Sequence, residues 1–401
     1  MPIPIFEMTL KSSQIHAILQ AKQEDFTRFD RRSLNALKQY RQALIDLPHL
    51  SPLELYQRQV VKGEGLAGAS PLEGWAGANH GVLPCKFRWD SREESMKWVR
   101  HHLSGVSTFA VDGSQIFPSK DLSIPVALVQ IGWFENPHDA TGFYEKDIDL
   151  DVMTPSDLKA SHSGEPVDRR VNFRRLQMEI NRLVQYIEDR AESVAAGARC
   201  LVFFDGSFVA TFAQSFEPQL CQDYIQCFLK LLRASQTHRV PLVGYVDTTY
   251  ARDLTVMLQQ VFDLPDISSI HDAQLVNPYM EWGDRTPILR SQQSGIVQAY
   301  EEQTDQLTFT YLKTTRDGYP ARLEMPLWMV DDGIANQIID WVRGEVIIGG
   351  GYPYVIETAD QTAVLRSGDR QVFFRILQEW SEDLDLNLRL SKKMISKVRR
   401  R

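Results

Sequence analysis

Between residues 12 and 47 apolar side chains recur at mostly helical intervals, with Ile15, Ile18, Leu19, Phe26, Leu34, Leu37 and Leu44 set among polar and charged neighbours. This spacing predicts a long amphipathic helix or a helix pair, serving as a packing or dimerisation arm. The Gly- and Ala-rich stretch GEGLAGASPLEGWAGANHG (63–81) interrupts the pattern. It lacks the GxxxxGK[ST] order of a phosphate loop and reads as a flexible connection. Residues 91–103 then predict a short helix capped by Ser91. Beyond residue 105 the period changes. Residues 108–111, 126–134 and 142–148 predict strands whose connections are too short for crossover helices, hence an antiparallel meander. A helix over 171–195, a strand over 200–204, a helix over 212–233 and a strand over 241–246 follow. The order β-β-β-α-β-α-β predicts a mixed α/β sheet with parallel central strands and helices on both faces. Later, DDGIANQIIDWVRGEVIIGGGYPYVIETADQTAVL predicts a helix capped near Asp331 or Asp332, a close-packed Gly-rich turn, and a second short helix.

Two of the predicted strands end alike, in FAVDGS and VFFDGS, placing Asp112 and Asp205 just past the carboxyl ends of strands one and four. Ligands bind beyond such ends in sheets with parallel strands. Asp-Gly-Ser is also ordinary turn chemistry, with Gly permitting a sharp bend and Ser bonding locally, so either copy alone specifies little. At matching places in this strand order the two carboxylates meet if strands one and four are neighbours. Paired carboxylates repel unless a cation neutralises them, and hard divalent ions prefer oxygen ligands. On the 171–195 helix the apolar stripe is Leu176, Ile180, Leu183, Ile187, Ala191 and Val194. At about 100° per residue, Glu179 falls at the border of that stripe, where a carboxylate can lean over the sheet end, and Glu188 falls on the other flank.

Composition adds limits. The 401 residues carry 52 acidic and 44 basic side chains, a net charge of −8 that argues against a uniformly basic nucleic-acid surface. The basic residues are clustered, however, in DRRVNFRR (168–175) and in the tail RLSKKMISKVRRR (389–401). Cys85, Cys200, Cys221 and Cys227 show no CxxC spacing, which argues against zinc and for free thiols in a reducing cytoplasm. No apolar run is long enough to span a bilayer, and the start of the chain does not read as a secretory signal.

Three antiparallel strands, a helix bearing Glu and a parallel strand ending in Asp resemble the ribonuclease H-like nuclease fold. More closely, the chain resembles the NurA nuclease family in FAVDGS, RRLQMEI, VFFDGS, LVGYVDTT, FTYLKT with ARLEMPLW, and GYPYVIETAD, in family order. The resemblance implies a metal-dependent nuclease acting on DNA ends in resection and repair, using Mn2+ or Mg2+. It also implies a homodimer working with a HerA-type hexameric translocase. Carried over by position, Asp112, Glu179 and Asp205 match the family's metal-binding acids, and Tyr352 its Tyr-Pro tyrosine. Asp360 stands where many members have a histidine as fourth ligand, and Asp247 where a basic residue is expected. Catalysis and metal binding are therefore assigned to Asp112, Glu179, Asp205 and Asp360. Substrate contacts are assigned to Arg170, Arg174, Arg175 and Tyr352, with the basic tail beside them. The expected domains are an N-terminal helical arm with its connection (1–104), a nuclease domain (105–388) and the basic tail (389–401). Two rivals stand: a non-catalytic scaffold of the same fold that binds DNA or a translocase, and an RNA-directed or transposase-like enzyme.

Overall fold

A computed structural model describes residues 11–60, 66–75, 78, 80–159, 166–292, 295–384, 386, 388 and 389. The basic tail beyond Arg389 and part of the Gly/Ala-rich connection lie outside the described residues. The strands are β1 (Gly68–Pro71), β2 (Val106–Ile116), β3 (Ala127–Asn136), β4 (Glu145–Met153), β5 (Arg199–Asp205), β6 (Leu242–Val246), β7 (Leu289–Gln292), β8 (Leu307–Leu312) and β9 (Ala321–Pro326). The helices before the first long strand are α1 (Ser12–Ala21), α2 (Gln23–Asp46), α3 (Pro52–Val60) and α4 (Arg92–Leu103). Those of the middle are α5 (Val167–Ala195), α6 (Pro218–His238), α7 (Asp253–Phe262) and α8 (Asp272–Val276). The last are α9 (Trp328–Asp331), α10 (Ala335–Ile348), α11 (Tyr354–Ala363) and α12 (Ser367–Asp383).

Among the described residues, the nine strands join one sheet in the order β1-β7-β8-β9-β6-β5-β2-β3-β4. The expected meander is β2-β3-β4, antiparallel throughout, and β2 lies parallel to β5, which lies parallel to β6. Helices α5 and α6 supply the two crossovers, so this half of the sheet is the ribonuclease H-like arrangement. Strands β9, β8, β7 and β1 extend it in antiparallel fashion. The region set apart at 1–104 thus contributes β1 to the same sheet, and the second half of α2 buries Leu37, Tyr40 and Leu44 beside α7.

The strand alternation sorts side chains between two cores. Phe109, Val111, Val202 and Phe204 pack under α5 and α6, while Ala110, Leu201 and Phe203 pack under α10 and α11. Several boundaries differ from expectation. The helix expected from residue 212 begins at Pro218, with a 3-10 turn over Thr211–Ser215 before it. Pro218 fixes a helical φ at the first turn and needs no amide partner there. The cap expected at Asp331 or Asp332 is absent: α9 ends at Asp331, a left-handed Gly333 turns the chain, and α10 starts at Ala335 after an Ile334 N-cap. Ser91 does cap α4, accepting from the Glu94 amide. The paired-helix reading of 12–47 matches α1 and α2, although Ile15, Ile18 and Leu19 on α1 are exposed.

Candidate active site

The register sets the two Asp-Gly-Ser segments side by side. Val111 pairs with Phe204 across parallel β2 and β5, so Asp112 and Asp205, the next residues, stand side by side. β5 ends at Asp205, but β2 does not end at Asp112 as expected and runs on to Ile116, because β3 goes on pairing with it from Gly132 opposite Asp112. By alternation both belong to the face covered by α11, whereas Gly113 faces α5. That glycine is what admits α5: a Cβ there would stand 2.4 Å from Glu179 Oε1 and 2.7 Å from Arg175 Cγ. Glu179 is buried, not at the border of the helix stripe as its angular position predicts. It tucks over Gly113, while Glu188, on the opposite flank, stays exposed.

Both serines act at long range, and Ser207 also bonds locally, its Oγ accepting from the Val209 amide at 3.1 Å. Ser114 Oγ accepts from the Leu365 amide at 3.1 Å, fixing the chain just after α11. Ser207 Oγ donates to the Glu324 carboxylate of β9 at 3.0 Å, and the Phe208 amide donates to the same carboxylate at 2.8 Å. Between Asp205 and Ser207, Gly206 adopts φ +137, a conformation that glycine tolerates, and its N–H donates to the Tyr245 carbonyl at 2.9 Å. The loop carrying Asp205 is therefore tied to β6 and β9.

Asp360 arrives on α11, which crosses β3 at Gly132, the residue paired with Asp112. A Cβ at Gly132 would stand 2.6 Å from the Ala363 amide nitrogen, so the helix backbone lies directly on the strand. The Tyr352 hydroxyl, just before α11, donates to Asp205 Oδ1 at 3.0 Å. Of the assigned arginines, only Arg175 reaches this place: its Nη1 donates to Glu179 Oε1 at 2.6 Å and stands 3.9 Å from Asp112 Oδ1. Arg174 is turned away to Asp151 at 2.6 Å, and Arg170 lines the same outer hollow with it. The reason is helical geometry, since adjacent residues point about 100° apart.

Electrostatics follows from this crowding. The Asp112 carboxyl is pushed up to about 6, by burial first, then by a hydrogen bond with Asp360 and the charge of Asp205, against the Gly113 amide and Arg175 that pull it down. Glu179 is pushed up to about 8, chiefly by burial, with Arg175 opposing and Asp112 and Asp205 adding to the rise. Asp205 reaches solvent, yet the protein packed around it also raises its carboxyl, as do Asp360 and Asp247; the Tyr352 hydroxyl works the other way. Asp247 is thus a further acid at this end of the sheet. It is visible in the sequence only as an unexpected acid after β6, and only the sheet order shows that it faces Asp205.

Chemically, the donors are all hard oxygens carrying more negative charge than nearby cations offset, which fits a divalent cation such as Mn2+ or Mg2+. As the side chains stand, no three His, Cys, Asp or Glu among the described residues close around one ion. Glu179 enters from the α5 face and is held by Arg175, and Asp112, Asp205 and Asp360 do not by themselves close around one ion. Asp112, Glu179 and Asp205 border a cleft of about 480 Å3 whose lining also includes Arg175, Phe212 and Tyr224. No helix among the described residues is long and apolar enough to cross a membrane.

Among solved structures, a NurA with manganese is 10% identical, with a TM-score of 0.40, covering 69% of this chain and 89% of that one. A NurA bound to dAMP and manganese is 9% identical, with a TM-score of 0.35, covering 66% of this chain and 86% of that one. The catalytic domain of human endonuclease V is 11% identical, with a TM-score of 0.32, covering 72% and 96%. No curated protein matches the chain. Residues 106–365, well over half of the sequence, match the NurA domain, and the chain belongs to the NurA family of nucleases.

Proposed function

We propose that this protein is a divalent-metal-dependent nuclease that hydrolyses DNA phosphodiester bonds at strand ends. In this reading it acts in the cytoplasm as a homodimer, resecting ends for repair together with a HerA-type hexameric translocase. The observation that carries the proposal is the placing of Asp112 and Asp205 side by side on neighbouring β2 and β5, with Asp360 hydrogen-bonded to Asp112 from α11, beside a cleft of nucleotide size. NurA family membership supports it, and related NurA structures contain manganese and dAMP.

Asp112, Asp205 and Asp360 would hold the Mn2+ or Mg2+, with Glu179 joining once it leaves Arg175. When bound, such an ion supplies Lewis acidity and a water of lowered pKa at the phosphodiester. The chain's own residues do the rest. Tyr352, its phenol pushed up by burial and by Asp205, stays protonated and fixes the orientation of the Asp205 carboxylate. Arg175, released from Glu179, is placed to pair with a phosphate oxygen and position the strand without reading its sequence.

A cleavage assay on DNA with free ends in Mn2+ or Mg2+ tests this reading. Asp112→Ala and Asp205→Ala should each lower the rate by at least about 100-fold, since each removes an oxygen ligand from the metal. Activity indifferent to both substitutions would sink the site. The scaffold reading has its own support in the Arg175–Glu179 pair that leaves the acids unclosed. DNA binding without cleavage at any metal concentration would favour it.

A further inference from the structure

The cleft has a half that the acids do not use. Phe212 sits on the 3-10 turn that follows the Asp205 loop, and it is 51% exposed although its ring is anchored at its edges. It lies 5.1 Å from the Tyr224 ring at 90° and 5.9 Å from the Phe216 ring at 65°. Tyr224 itself is buried, so this wall is backed by the core of α6. On the same wall the Arg169 guanidinium covers Phe216 at 4.2 Å. An exposed aromatic face, an adjoining cation and a row of carboxylates therefore border one cleft.

These features select an occupant. A cavity of about 480 Å3 is in the size range of small-molecule sites, enough for one nucleotide and too small for a duplex. Aromatic faces stack on any nucleobase, and an arginine beside them favours an anionic ligand. The Asp205 loop leads within a few residues to Phe212, and Glu324 fixes the start of that connection through Ser207 and Phe208. Phe212 is therefore held at a set reach from the acids.

We propose that Phe212, Phe216 and Tyr224 form a pocket for the terminal nucleobase of a DNA strand, with Arg169 beside it to receive a phosphate. The pocket deepens the nuclease reading and rests on it: docking the last base there places the adjoining phosphodiester against Asp112 and Asp205. A strand end is chosen over an internal position because about 480 Å3 has room for about one nucleotide.

The test uses the full chain with short single-stranded DNA carrying 2-aminopurine, in Ca2+ and with the strands checked to be intact. Stacking in the pocket quenches 2-aminopurine placed at one strand end and leaves an internal one bright. Phe212→Ala removes the quenching and weakens binding about tenfold, the loss of one stacked base. Replacing the terminal nucleotide by an abasic one costs the wild type a similar factor and costs Phe212→Ala nothing more. Phe212→Trp restores the quenching. Should Phe212→Ala fail to fold, the abasic comparison on the wild type decides alone. Quenching that survives Phe212→Ala, equal quenching at internal positions, affinity indifferent to the terminal base, or absence of DNA binding each overturns the pocket. Cleavage in Mn2+, measured separately, keeps the two readings apart. Cleavage with base-indifferent binding removes only the pocket, and base-dependent binding without cleavage removes only the nuclease.

Discussion

Arg175 lies one helical turn before Glu179, and the two side chains hold one another over the space left by Gly113. A guanidinium there stands in for a metal cation: it offsets the buried carboxylate but cannot activate water. Replacing it by an uncharged side chain separates the two roles. In Arg175→Gln, Glu179 loses its hydrogen-bond partner and holds its proton more firmly, so the metal-free protein should lose about 1–2 kcal/mol, the order of one hydrogen bond to a charged group. Mn2+ should then stabilise the variant more than the wild type, and at lower concentration, because it no longer competes with arginine. Thermal unfolding over a Mn2+ titration reads both effects. An unchanged Mn2+ midpoint would mean that Glu179 is no metal ligand. At this scale Asp205 was legible, because an apolar strand ending in Asp-Gly-Ser fixes both exit and direction, whereas Asp112 lies inside β2, which β3 prolongs to Ile116. The burial of Glu179 was not, since it depends on a glycine on another element. Nor was the separation of Arg175 from Arg170 and Arg174, because DRRVNFRR reads as one basic run until the helix phase is tied to the sheet.

Helix α11 shows how an element delivers an acid that has no strand of its own. Its first turn is held by the buried Glu345 of α10, which accepts from the Val355 amide at 3.0 Å and from the Thr108 hydroxyl of β2 at 2.8 Å. Its last turn rests on Gly132 and gives the Ala363 carbonyl to Gln130 Nε2 at 2.8 Å. His138, in the loop after β3, stands with Nε2 3.1 Å from Glu345 Oε1, off the line of a good hydrogen bond, and its Nδ1 meets the Val106 carbonyl at 2.8 Å. Burial pulls the His138 imidazole down, but Glu345 and the backbone acceptors outweigh it, and the net shift is upward from 6.5. The sign follows: the folded protein holds a proton on His138 where the unfolded chain has lost it. The resulting stability is complete below about pH 6.5 and disappears as pH rises through the folded value. His138→Asn, which accepts the local left-handed backbone at φ +47, should therefore flatten the fall in unfolding free energy above pH 6.5 relative to the wild type. Urea denaturation at a series of pH values checks this, and parallel curves for the two proteins would refute it. The alternation and helical spacing foretold most of the elements around α11, including the Gly-rich turn before it. There the chain is too tight for a side chain, a Cβ at Gly349 falling 2.0 Å from the Tyr352 carbonyl oxygen. What stayed hidden was the pairing of α11 with β3, which brings together residues more than two hundred positions apart and carries no local signature.

Over the whole molecule, the ribonuclease H-like half was readable and the antiparallel extension was not. Strands β8 and β9 are buried on both faces, and β9 alternates Arg322 and Glu324 with Leu323 and Met325, a pattern that reads as a half-exposed strand. The charged face is inside because its members satisfy one another. Arg322 donates to Glu324 at 2.7 Å and to Asp253 of α7 at 3.0 Å, and its guanidinium lies 3.8 Å over the Phe309 ring. Asp253 in turn accepts from Ser291 of β7 at 2.9 Å. Through Glu324, Ser207 and Phe208 this buried chain ends at the loop that carries Asp205, so the extension braces the site. Arg322→Met preserves much of the stem and its contact with Phe309 but leaves two buried carboxylates without their cation. It should cost about 3–5 kcal/mol in urea denaturation, the magnitude for removing one partner of a buried ion pair. Glu324→Gln with Arg322→Met should recover part of that loss, because one of the stranded charges is gone while an amide oxygen still receives Ser207 and Phe208. Recovery of stability together with any cleavage activity would locate the function of the network in holding the Asp205 loop. Equal instability of the single and double variants would instead place the burden on Asp253, and the extension would brace α7 rather than the site.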